Sequence, residues 1–193
     1  MEFASPHGIV ASIVSTYWLS VMVMSIRSRI KFRTASGSLP KTRLERLMWL
    51  VWVPTIFCWV GFSWGTDNVF LGAIADGQAA MSVGPYKIVV WIFALVSIVA
   101  FLLTVCCWLR MGKNWSMAVR PEKETELITD GLFSAVRHPI YSLSLLLMLC
   151  TVVVIFNWTM LLIGTIHCSM LVLKAWNEEK YLIGVHGLSL IHI

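Results

Sequence analysis

Five apolar runs occupy residues of about 8–26, 47–64, 86–109, 139–156 and 158–173. A helix rises about 1.5 Å per residue and needs roughly 20 apolar residues to cross a bilayer core. The first and third runs meet that length. The second is interrupted only by Pro54, which a membrane helix tolerates because its neighbours re-satisfy the freed backbone groups. The last two are short and are split by Asn157-Trp158, so they read as a helical hairpin turning at an interface that suits Trp. A chain of 193 residues that is 58% hydrophobic and 13% charged cannot hide its apolar surface as a soluble domain. Lipid leaves backbone amides no water partner, which makes the helix their outlet. The expected fold is therefore all-α: a polytopic membrane helical bundle of about five transmembrane helices, the last two forming the hairpin. No small-residue cleavage motif follows the first run, which is accordingly read as a span and not as a removed signal peptide.

The connecting segments set an orientation. Residues 27–46 hold seven basic side chains (Arg27, Arg29, Lys31, Arg33, Lys41, Arg43 and Arg46) against one acid, Glu45. Residues 65–85 hold no basic residue and two acids, Asp67 and Asp76. Residues 110–137 hold five basic residues, Arg110, Lys113, Arg120, Lys123 and Arg137. The positive-inside rule then predicts an outside N-terminus and a cytoplasmic C-terminus. The same rule accounts for the +5 net charge without a nucleic-acid partner. Cys58, Cys106, Cys107, Cys150 and Cys168 all lie in or beside apolar runs and form no Cys-x-x-Cys pair, so they are expected as small core residues with no metal. The five runs share no repeated motif.

Polar chemistry gathers in two places. The first is Arg137-His138-Pro139-Ile140-Tyr141, at the mouth of the fourth run. Ionisable groups are costly near lipid, so such a cluster is a site hypothesis by default. Pro139 suits the first turn of a helix and keeps His138 out of helical geometry. Arg137 alone is equally well read as a snorkelling membrane anchor. A neutral imidazole at His138 would hydrogen-bond a polar ligand, and Tyr141 lies one turn on, where the two can share a face. The second place is Glu178-Glu179, past the fifth run. Alone it reads as a solvated helix end. However, Lys174, Glu178 and Tyr181 follow i, i+4, i+7 spacing and form one stripe, which a short hairpin returns to the side of Arg137 and His138. Carboxylates there suit an ammonium, a sulfonium or ribose hydroxyls. His167 is the mid-span candidate for a proton path, but a satisfied core or interface histidine is the stronger reading. No dinucleotide fingerprint, phosphate loop or Ser-His-Asp set is present. The segment 110–137 is long and mixed in charge, and its Leu127, Ile128, Leu132 and Phe133 predict a docked segment near the headgroups.

From about Gly112 to Gly187 the chain resembles the superfamily of isoprenylcysteine carboxyl methyltransferases and phospholipid methyltransferases. The ordered pieces that carry the resemblance are Gly112-Lys113-Asn114-Trp115-Ser116 and Glu126-Leu127-Ile128-Thr129-Asp130-Gly131-Leu132-Phe133. They are followed by Val136-Arg137-His138-Pro139-Ile140-Tyr141, the hairpin with Trp158, and Glu178-Glu179-Lys180-Tyr181-Leu182 with Gly187. The resemblance divides the chain into a three-span membrane region, 1–109, and a methyltransferase-like core, 110–187. It implies an integral-membrane enzyme that uses S-adenosylmethionine without a dinucleotide-binding domain. By position, His138, Pro139, Ile140 and Tyr141 would contact that cofactor, Glu178 or Glu179 would hold its polar end, and Leu127, Ile128 and Phe133 would line its pocket. Arg137 and Lys174 are the candidate catalytic residues, Lys174 facing the acceptor. Phe133 stands where the family usually has Tyr, which keeps apolar contact and removes a hydroxyl.

The expected partners are the lipid bilayer and an apolar or lipidated methyl acceptor, and the expected location is a bacterial inner membrane. A carboxylate like that of an isoprenylcysteine, a phospholipid amine and a small thiol all remain open as acceptors. A non-catalytic scaffold that retains the motif is the rival from another class, and the oligomeric state is undetermined. Leu188-Ser189-Leu190-Ile191-His192-Ile193 matches the translation of a common sequencing-adapter end. Genuine sequence is therefore expected to stop near Gly187, where the resemblance implies a Tyr-rich basic tail. Resequencing the locus is expected to read that tail in place of 188–193. A stop codon confirmed directly after Ile193 would refute the expectation.

Overall fold

The computed structural model describes residues 5–32, 43–65, 84–112, 115, 128 and 130–186. Among them the chain forms six helices and no strand: α1 (Pro6–Phe32), α2 (Arg43–Trp64), α3 (Gly84–Met111), α4 (Leu132–Ala135), α5 (Pro139–Val154) and α6 (Trp158–His186). Four of them, α1, α2, α3 and α6, are long and apolar enough to cross a membrane. The 16-residue α5 is shorter, about 24 Å at helical rise. It packs most extensively against α3 and forms the predicted hairpin with α6.

The fifth apolar run ends near residue 173, and the helix runs on past it, as the spacing of Lys174, Glu178 and Tyr181 requires. It continues to His186, 29 residues in all. Charged residues end an apolar run without ending a helix, since Lys, Ala and Glu are good helix formers. The extension carries Lys174, Glu178 and Glu179 as further turns of α6. The segment 188–193 and residue Leu127 lie outside the described residues.

Helix ends follow local chemistry. Pro139 occupies the first turn of α5, where its missing N–H is no loss, and His138 is the non-helical cap with φ −122° and ψ 64°. Asn157 starts α6: its Oδ1 accepts the Met160 N–H at 2.7 Å, which satisfies one orphan donor of the first turn. Trp158 beside it is exposed, as an interfacial residue should be. Gly131, with φ 63° and ψ −132°, turns the chain into α4 through a conformation that side chains rarely adopt. Arg110 at the end of α3 grips Asp130 through Nε at 2.9 Å and through its second nitrogen, a fork that fixes where this turn begins.

The inward face of α2 is a stripe of Glu45, Met48, Trp52, Thr55, Trp59 and Ser63, while Leu44, Leu47, Leu50, Phe57 and Phe62 face outward. Lipid is as apolar as leucine, so the bundle gains by turning its aromatic and polar groups inward. The Trp59 indole N–H donates to Thr151 Oγ1 at 3.2 Å, joining α2 to α5. His7 Nε2 and the Ser63 carbonyl lie 3.0 Å apart, so α1 begins where α2 ends and the two run antiparallel. Trp115 is buried against the same core; residues 116–127, on which much of the expected docking of the 110–137 segment rests, lie outside the described residues.

Gly164 sets the closeness of the hairpin. A Cβ there would lie 3.2 Å from a Val152 methyl and 3.5 Å from the Met148 sulfur. Gly164→Val is therefore expected to destabilise the bundle by about 1–3 kcal/mol through overpacking. Unfolding in mixed micelles measures this, and an unchanged transition would show that α5 and α6 can part without loss.

Candidate functional site

The end of the bundle that holds the starts of α2 and α5 and the last turns of α6 brings the two polar clusters together. Tyr141, one turn into α5, donates its hydroxyl to Glu178 Oε1 at 2.6 Å. The His138 ring stacks on the Tyr141 ring, with centroids 5.3 Å apart and planes 13° apart. That puts the imidazole between two carboxylates: Nδ1 lies 3.9 Å from Glu178 Oε2 and Nε2 lies 3.4 Å from Glu179 Oε1. Lys174, one turn before Glu178 on α6, places Nζ 3.9 Å from Glu178 Oε1. The same ammonium lies 5.4 Å from the centroids of both Tyr141 and Trp52.

These contacts make Glu178 the centre of the cluster. It faces a hydroxyl donor, an ammonium and an imidazole, and its side chain is 22% exposed. A short hydrogen bond to a carboxylate is among the stronger single contacts in a protein, at about 1.5–3 kcal/mol. Glu179 is more open, with His138 as its near partner, and is correspondingly less constrained.

The remaining candidates are placed as follows. Pro139 is buried at the foot of α5, and Ile140 is half-buried and packs on the core. Ile128 and Phe133 are half-buried, Phe133 on α4 just before the His138 turn. Arg137 is exposed in that turn, next to the cluster in sequence. The side chain of Tyr181 lies outside the described residues, so the stripe is seen as Lys174 and Glu178.

Two neighbours of the cluster were not anticipated as site residues. Trp52 supplies a ring beside Lys174, and Glu45, buried at the start of α2, is a second carboxylate whose charge acts on Lys174. A signal for both existed. Glu45 is the one acid in a basic segment, and it shares a helical stripe with Trp52 and Trp59.

Residues 91–184 match the model of the isoprenylcysteine carboxyl methyltransferase (ICMT) family. Residues 91–184 form an ICMT-family domain. No curated protein and no solved structure matches the chain. The ICMT match begins at Trp91 in α3, earlier than the resemblance visible from Gly112, and it ends within α6. It thus takes in α3, the turn before α5, the hairpin and the Glu178-Glu179 segment, and it assigns that part to a family of membrane methyltransferases. Trp52 and Glu45 lie outside the ICMT domain yet reach its polar cluster, because α2 packs along α6.

Proposed function

We propose that this chain moves a methyl group from S-adenosylmethionine to a lipidated or small apolar acceptor, of the kind an isoprenylcysteine carboxylate represents. The observation that carries the proposal is the convergence of His138, Tyr141, Lys174, Glu178 and Glu179 at one end of a membrane bundle, within an ICMT-family domain. The donor set suits the cofactor. Glu178 and Glu179 can accept from ribose hydroxyls or an amino group, and the His138 ring, stacked on Tyr141, can offer its other face to a cation or a base.

When bound, S-adenosylmethionine supplies an activated methyl on a sulfonium. The protein's part is then to place and enclose. Its carboxylates are already oriented by Tyr141, Lys174 and His138, so little reorganisation attends binding. An acceptor carboxylate or thiolate is itself the nucleophile and needs little general-base help. Holding the partners at near-attack distance supplies most of the acceleration. Enclosing the bound donor and acceptor would keep water from the reacting centre. Arg137 and Lys174 are the cations that would steer an anionic acceptor. The charge pattern of the connecting segments supports a cytoplasmic position for this end, where the cofactor is available, with the acceptor arriving from lipid.

Transfer of label from methyl-labelled S-adenosylmethionine into lipid, protein and volatile fractions tests the proposal and sorts the acceptors. Label in the protein or apolar-lipid fraction is expected, and it should disappear in the Glu178→Ala/Glu179→Ala double variant. Cofactor binding that persists without transfer to any fraction would favour the scaffold reading.

A further inference from the structure

His167 lies two turns before Lys174 on α6 and is fully buried. Its Nδ1 accepts the Trp52 indole N–H at 3.1 Å. A nitrogen that accepts carries no proton, so the ring hydrogen is on Nε2 and points at Ser144 Oγ, 3.2 Å away. One imidazole thus ties α2 to α5 through α6, with a fixed direction at each bond. Trp52 is the link outward. Its N–H is held by His167, and its ring face lies 5.4 Å from Lys174 Nζ. The other ring beside that ammonium is Tyr141, which bonds Glu178. The Lys174 side chain is only 12% exposed.

A lysine is a point charge on a flexible stem and takes its place from its surroundings. Here those surroundings are two ring faces, the Glu178 carboxylate and the nearby charge of Glu45. One of the rings can turn about its own bonds unless its N–H is engaged. The spacing fits this relation, because residues 167 and 174 are seven apart and lie on one face of α6. An ionisable side chain inside a span also calls for named partners, and those of His167 are Trp52 and Ser144.

We propose that His167 and Trp52 are positioning residues of the methyl-transfer site: through the indole N–H they hold Lys174 between Tyr141 and Trp52, against Glu178. The inference rests on the methyl-transfer reading for its purpose, but the hold on Lys174 has a readout of its own.

The test measures amidination of Lys174 by methyl acetimidate, followed by peptide mass spectrometry on the full chain in detergent. It runs alongside S-adenosylmethionine affinity and the split between KM and kcat. Three variants separate the bonds. His167→Gln sets its amide near the Nε2 position, reaching Ser144 and leaving the indole without an acceptor. His167→Asn sets its oxygen near the Nδ1 position, where it accepts from Trp52. Trp52→Phe keeps a ring and removes the N–H. Lys174 in His167→Gln and Trp52→Phe is expected to react about tenfold faster than in the wild type, the loss of one cation–ring contact. Cofactor affinity should fall in parallel, while His167→Asn stays close to wild type in both. Equal exposure of Lys174 in the Asn and Gln variants, or unchanged protection in Trp52→Phe, overturns the inference. If His167→Gln does not fold, Trp52→Phe against wild type decides it. A wild-type chain that binds no S-adenosylmethionine defeats the methyl-transfer reading instead, and the amidination series still decides what holds Lys174.

Discussion

Glu178→Gln is expected to weaken S-adenosylmethionine binding by about 30- to 300-fold. The substitution keeps volume and an acceptor oxygen and removes one negative charge. That charge is what Tyr141, Lys174 and His138 are arranged around, at 2.6, 3.9 and 3.9 Å. Without it the Lys174 ammonium, mostly shielded from water, loses a nearby counter-charge. Truncating one member of a hydrogen-bonded, desolvated charge pair typically costs about 2–5 kcal/mol, and the partial exposure of Glu178 argues for the lower part of that range. The loss falls on affinity because the same oxygen atoms are the ones a ribose hydroxyl or an amino group would meet.

The neighbours give an order that a general weakening of the fold would not reproduce. Tyr141→Phe removes the hydroxyl donor and keeps the ring under His138 and Lys174, so its effect should be smaller, about tenfold. Glu179→Gln should be smaller again, because that carboxylate is 41% exposed and water already screens its contact with His138. Equilibrium binding in detergent at neutral pH measures all three. If Glu179→Gln proves the more damaging of the two glutamate changes, Glu178 is not the centre of the cofactor site.

The bundle and its polar end were legible because each rests on short-range rules. The break at Asn157-Trp158 announced a hairpin, and Asn157 does cap α6. The i, i+4 spacing of Lys174 and Glu178 announced one stripe, and the two side chains do meet. What stayed hidden depends on contacts between distant segments. A membrane helix is apolar all round, so periodicity does not say which tryptophans face inward. Trp52 and His167 are 115 residues apart, and no local pattern in either run pairs them. The apolar run alone understates α6, which continues from about residue 173 to His186; the helical spacing of Lys174 and Glu178 is what carried the reading past that point.

Trp59→Ala should have the largest effect on the fold, and its size follows from what lipid removes from the usual reckoning. Trp59 is fully buried at the meeting of four helices. Its ring lies 5.9 Å from Trp18 on α1 and 4.7 Å from His167 on α6, and its N–H donates to Thr151 on α5. In a water-soluble core, Trp→Ala costs about 3–5 kcal/mol, as a transfer term plus a cavity term. Between helices in lipid the transfer term is small, because the surroundings of a separated helix are as apolar as the core. The cavity term remains, since the lost contacts of a large ring have no replacement in a rigid bundle. So does the hydroxyl of Thr151, although it keeps its own bond to the Leu147 carbonyl at 2.8 Å. The expected loss is therefore about 3 kcal/mol, the lower end of the soluble range. Trp59→Phe, which refills most of the space without the N–H, should recover all but about 1 kcal/mol of it. Unfolding by a denaturing detergent titrated into mixed micelles distinguishes the outcomes. Equal losses in the two variants would place the stabilisation in the Thr151 hydrogen bond, and a negligible loss in Trp59→Ala would mean that the four helices are not held together at this residue.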